Sequence, residues 1–136
     1  MTPPQKSAAV LHGFLWITQV VVAASLVWAA VLKIIQPVET LAQLWPWTGQ
    51  VPVALVKFTG VVDLLGAMGL ILPAWLRIRP GLTPLAAMGI LVLMVCASIF
   101  HLARGEASVI GVNAVFAGMA AFVAWGRFRK VPIPSN

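Results

Sequence analysis

Four stretches of this chain, 14–35, 52–72, 83–102 and 107–125, run for about twenty residues each with scarcely a charge. At a rise of 1.5 Å per residue, about 22 helical residues reach ~33 Å, enough to cross a ~30 Å hydrocarbon core. The runs are continuous and lack the alternation of a membrane β-barrel strand, so helices are the one spanning structure they fit. The first run is too long for a cleaved signal peptide, whose apolar stretch is about 7–15 residues. The expected fold is therefore all-α, a bundle of four transmembrane helices forming a single domain over residues 1–136.

Composition narrows the function classes. Hydrophobic residues make up 61% of the chain and charged residues 9%, against roughly 25% charged in a soluble domain. The surface is thus expected to face a lipid bilayer. The formal net charge of +6 is spread singly at the edges of apolar runs, with no basic patch, which argues against nucleic acid. Cys96 stands alone, so an intramolecular disulfide or a CxxC thiol relay is impossible.

The connections carry the punctuation. Residues 1–11 read as a short polar lead. Pro37 ends the first span, and 38–45 is a weakly amphipathic segment followed by Trp45-Pro46-Trp47. Indoles favour the membrane–water boundary, so a short interfacial helix or turn is expected in this first loop. Pro73 and residues 77–81 should close the second span. Arg104-Gly105-Glu106 should make a tight turn, and 127–130 should end the fourth span. Lys6, Arg77, Arg79, Arg127, Arg129 and Lys130 then share one side, and Lys33, Lys57 and Arg104 the other. The positive-inside rule places both termini in the cytoplasm, N-in and C-in. Short loops and the lack of a targeting extension point to a bacterial cytoplasmic membrane.

Polar groups within a membrane are costly, so each needs a partner or a task. The spans hold Gln19, Lys33, Lys57, Asp63, His101 and Asn113, with Arg104 and Glu106 in the adjoining turn. Asp63 should lie ~16 Å into the second span, close to mid-depth, and must face the bundle interior. Gly60, Asp63 and Ala67 share a stripe at i, i+3 and i+7, as do Asn113, Ala117, Ala120 and Ala124 on the fourth span. Lys33 shares a face with Ala29, Ala30 and Ser25, and His101 lies above Ala97, Ser98 and Met94. These placements predict an outward-opening polar cavity lined by Lys33, Lys57, Asp63, His101 and Asn113, with Arg104 and Glu106 at its mouth. Its centre would be Asp63 with Lys57 or Lys33, hydrogen-bonded by Asn113 and His101.

Plainer readings stand beside this one. A buried ionic and amide cluster can fix helix register with no ligand. Lys33 and Lys57 can snorkel to the boundary, and Arg104 can be a boundary charge. A zinc or haem site is not expected: His101 has no second histidine nearby, and His12 lies at the opposite end. The methionines read as packing residues.

The residues that carry a family resemblance are now in view. The stretch Gly60-Val61-Val62-Asp63-Leu64-Leu65-Gly66 through Pro73, the segment from Thr83-Pro84 to His101-Leu102-Ala103-Arg104-Gly105-Glu106, Asn113, and Lys33 with Pro37-Val38-Glu39-Thr40 resemble the DoxX-like family. The likeness covers nearly the whole chain and implies a four-helix membrane bundle. Many relatives carry Glu where this chain has Asp63, one methylene shorter. Relatives include small subunits associated with thiosulfate–quinone oxidoreduction, parts of membrane oxidoreductase complexes, and chaperones of ion-channel assembly. Branches using paired cysteines find no counterpart. The leading expectation is an accessory protein, not an enzyme on its own, that binds a small amphiphile (a quinone or a lipid) or a partner membrane protein through its polar cavity. The alternatives are a non-catalytic small subunit of a quinone-linked oxidoreductase, in which Asp63 and His101 move protons, and a structural bundle with no ligand.

Overall fold

In a computed structural model, which describes residues 2–136, the chain is helical from Pro3 to Lys130 apart from short connections. The elements are α1 (Pro3–Ile35), α2 (Val38–Leu44), a 3-10 turn (Pro46–Gly49), α3 (Val53–Leu76), α4 (Leu82–Ala103), a second 3-10 turn (Ala107–Val109) and α5 (Ile110–Trp125), extended by a π-helical turn (Gly126–Lys130). Four helical segments are long and apolar enough to cross a membrane, namely α1, α3, α4 and the continuous stretch Ala107–Lys130 formed by α5 with its flanking turns. The short α2 and the first 3-10 turn occupy the loop where a short helix or turn was expected.

The first helix begins earlier than its apolar run. Thr2 caps it with its hydroxyl accepting from the Gln5 N–H while the Gln5 side chain accepts from the Thr2 N–H, and Pro3 and Pro4 fill the first turn. These prolines start a helix, because their missing N–H groups lie where no intrahelical acceptor exists. The lead read as a short polar segment is therefore helical, and α1 spans 33 residues, about 50 Å.

Packing follows the stripes of small residues. α1 packs chiefly on α3, α3 on α4 and α4 on α5, and α1 touches α5 to close the ring. The buried face of α3 is Val56, Gly60, Asp63, Ala67, Leu70 and Ala74. Of these, Ala67 and Leu70 join Val22, Ala23 and Leu26 of α1, Ala87 and Ile90 of α4, and Ala120, Val123 and Ala124 of α5 in one apolar core. The opposite faces expose large side chains, Phe58 at 63%, Leu65 at 61% and Trp75 at 69% among them. An apolar exterior of that extent suits acyl chains as solvent, and helix association then rests on close contact of small residues.

Pro73 departs from expectation. It lies inside α3, which continues to Leu76. Proline removes the N–H that would bond the carbonyl four residues earlier, that of Gly69. The Thr83 hydroxyl donates to this Gly69 carbonyl at 3.2 Å and lies 3.4 Å from that of Leu70, which also accepts from Gln19 Nε2 at 2.8 Å. Side chains of neighbouring helices thus satisfy the carbonyls around the proline, the condition for a proline within a membrane helix. Thr83→Val should lower stability by about 1 kcal/mol. In a Pro73→Ala background, where a backbone N–H again reaches Gly69, the same change should cost much less, as read by a double-mutant cycle of unfolding in detergent.

Candidate functional site

The end of the bundle where α1 turns into α2 carries an ion pair. Lys33 lies in the last turn of α1 and Asp63 midway along α3. Between them, Gly60 brings the two backbones together: a Cβ there would stand 3.0 Å from Lys33 Cβ and 3.2 Å from Ile34 Cγ1. Lys33 Nζ donates to Asp63 Oδ2 at 2.8 Å, with the side chains 13% and 4% exposed. A charged pair so enclosed holds together because each partner neutralises the other, and removing one strands a buried charge.

The first loop covers this pair. Lys33 Nζ lies 5.7 Å from the ring centroids of both Trp45 and Trp47, within the range where an indole face attracts an ammonium. Trp45 is steadied edge-to-face by Trp28 at 5.7 Å. The Thr48 hydroxyl, fully buried, donates to the Trp45 carbonyl at 2.7 Å and tightens the 3-10 turn. The two tryptophans expected at the membrane boundary thus also form a lid over the lysine.

Trp47 continues into a second polar group. Its ring meets Phe100 at 5.8 Å and His101 at 6.4 Å. His101 Nδ1 lies 3.1 Å from Glu106 Oε1, and Arg104 Nε donates to the same oxygen at 2.7 Å. Arg104 also reaches Gln50, tying the α4–α5 turn to the first loop. The Arg104 guanidinium, with the His101 ring beside it, holds the Glu106 carboxyl below its ordinary value of 4.5.

The seven residues singled out from the sequence therefore divide. Lys33 and Asp63 form one unit, and His101, Arg104 and Glu106 a second, joined through Trp47. Lys57 does not pair with Asp63: it is exposed and donates to the Ile34 carbonyl at 2.8 Å, capping the end of α1. Asn113 and His101 do not bond Asp63 either. Asn113 Nδ2 is buried with no hydrogen-bond partner among the described residues. Among the described residues, no three His, Cys, Asp or Glu side chains converge as a metal ion requires.

A further polar layer at the opposite end escaped the sequence reading. Arg127, the first of the residues expected to end the fourth span, is 2% exposed. Its Nε donates to Gln19 Oε1 at 2.8 Å, and its Nη1 reaches His12 Nδ1 and the Val131 carbonyl, each at 3.0 Å. The signal was present: Arg127 continues the stripe Ala120, Val123, Ala124, and Gln19 continues Leu15, Val22, Leu26.

Two results should follow. Lys33→Met and Asp63→Leu should each destabilise the bundle by about 3 kcal/mol or more, and the double variant should recover most of the loss, as measured by unfolding in detergent. Glu106 has a depressed folded pKa, so its contribution to stability is complete above its ordinary value and is lost as pH falls through the lower folded value. Glu106→Gln should remove that acid-side loss from a stability–pH profile.

With this geometry established, the family model described as the DoxX-like family matches residues 17–123, from within α1 to the last turns of α5. No curated protein and no solved structure matches the chain.

Proposed function

The chain belongs to the DoxX-like family, and we propose that it is a membrane accessory protein that binds the polar head of a small amphiphile, of the quinone or lipid class, beneath the first loop. The observation that carries this reading is the pair of indoles over the Lys33–Asp63 unit. Aromatic faces suit a flat or apolar body, and the ammonium is a donor for carbonyl or phosphate oxygens, while His101, whose Nδ1–H faces the Glu106 carboxylate, offers Nε2 as an acceptor for a hydroxyl. The unbonded Asn113 amide is a further donor at the same end of the bundle. The side chains gathered there include no nucleophile–base pair among the described residues, and the chain by itself is read as an accessory; a partner oxidoreductase subunit would supply electrons if the bound group is redox-active. In the proposed orientation both termini are cytoplasmic and this end faces outward across a bacterial inner membrane, with basic residues concentrated at the other end.

A second reading is favoured by the closure of the pair itself. Lys33 and Asp63 satisfy one another at 2.8 Å, which would suffice to set the register of α1 on α3 with no ligand. The two readings separate experimentally. Protein purified in mild detergent should carry a co-extracted quinone or lipid, identified by mass spectrometry of the organic extract, and Asp63→Asn should deplete it. An extract that is the same for both proteins, with stability lowered in the variant, would leave the register role alone. Quinol turnover by the purified chain would overturn the accessory assignment.

A further inference from the structure

The buried guanidinium of Arg127 has no carboxylate. The chain contains three acids, and two are committed elsewhere: Asp63 to Lys33, and Glu106 to Arg104 and His101. The third, Glu39, lies in the first turn of α2 at the opposite end of the bundle. Arg127 makes three hydrogen bonds, all to neutral groups, and its Nη2 is buried with no partner among the described residues. A buried cation without a counter-charge is costly, and a bound anion nearby would relieve it.

Such a place exists beside it. A cavity of about 180 Å³ is lined by His12, Trp16, Trp75 and Arg77, and by Ile133 and Pro134 of the C-terminal tail. Two of these walls touch Arg127 from the other side: its Nη1 meets His12 Nδ1 at 3.0 Å, and its Cζ lies 5.7 Å from the Trp16 ring centroid. An arginine can only donate, so His12 Nδ1 is the acceptor and the ring proton resides on Nε2. Every polar side chain of the wall is then a donor: the His12 Nε2–H, the Arg77 guanidinium and the two indole N–H groups. The tail wall is fixed, since Asn136 donates from its backbone to the Arg77 carbonyl at 3.0 Å and from its side chain to that of Leu76 at 2.9 Å.

We propose that this cavity is a phosphate-binding site at the end of the bundle that carries both chain termini, separate from the site under the first loop. The volume is that of about six waters, room for a phosphate ester but not for a large headgroup. Arginine matches phosphate oxygens in geometry and charge, the aromatic walls suit an interfacial depth, and basic pockets between membrane helices hold anionic headgroups. The phosphate is either the phosphodiester of an anionic phospholipid or the free inorganic ion.

Both sources can be tested on the full-length protein. Native mass spectrometry from nanodiscs of phosphatidylcholine with phosphatidylglycerol reads the lipid arm, and equilibrium dialysis of delipidated protein against inorganic phosphate reads the other. One of the two should bind, and Arg77→Gln should weaken it roughly tenfold or more, the loss of a charge-assisted hydrogen bond. Arg77 is exposed at the C-cap of α3, so the fold should survive. Arg129→Gln removes the same charge outside the cavity and should change binding by less than about twofold. Ile133→Trp, which fills the cavity from the tail, should abolish binding. Absence of binding in both arms, equal weakening by the two arginine variants, or retained binding in Ile133→Trp would each overturn the proposal.

Discussion

Hydrocarbon offers a polar group nothing to bond with, so every donor and acceptor within the bundle must be answered by another part of the chain. In this protein the polar groups gather in two layers, one towards each end, with an apolar core of small and branched residues between them. At one end Lys33 meets Asp63. At the other Gln19 bridges α1 to α3 and α5, bonding the Leu70 carbonyl with its amide nitrogen and the Arg127 guanidinium with its oxygen. The helices are held in register by these directed bonds, because dispersion between small-residue faces tolerates sliding that a hydrogen bond does not.

The two layers differ in what they leave undone. The Lys33–Asp63 layer is balanced in charge and sheltered by the indole rings of the first loop. The Arg127 layer has an excess of positive charge and donors over acceptors. Charge is thus arranged along the bundle axis, with the chain's acids away from the termini.

Proline and glycine mark where the helices do more than span. Pro73 frees a carbonyl that Thr83 then bonds, so α4 is tied to α3 by a contact that an uninterrupted helix would not provide. Gly60 lets α1 approach until the Lys33 ammonium can reach Asp63, and Leu15 packs where a side chain at Gly126 would stand, within 2.6 Å of the absent Cβ. At Gly60 and Gly126 the missing side chain leaves room for a polar or bulky group from a neighbouring helix.

The sequence alone determined the lipid-facing class, the number of helices and the inward turn of Asp63, since run length and the cost of a carboxylate in hydrocarbon are local properties of the chain. It left open which lysine Asp63 would take, because Lys33 on α1 and Lys57 near the start of α3 both lie towards the same end of the bundle. The close approach at Gly60 favours Lys33, and the last carbonyls of α1 draw Lys57 away. The aromatic lid, the bond from Thr83 around Pro73 and the Arg127–Gln19–His12 layer belong to tertiary structure for one reason. Each joins residues 12 or more positions apart along the chain, and such pairings are set by how helices are placed side by side, which no single periodicity encodes.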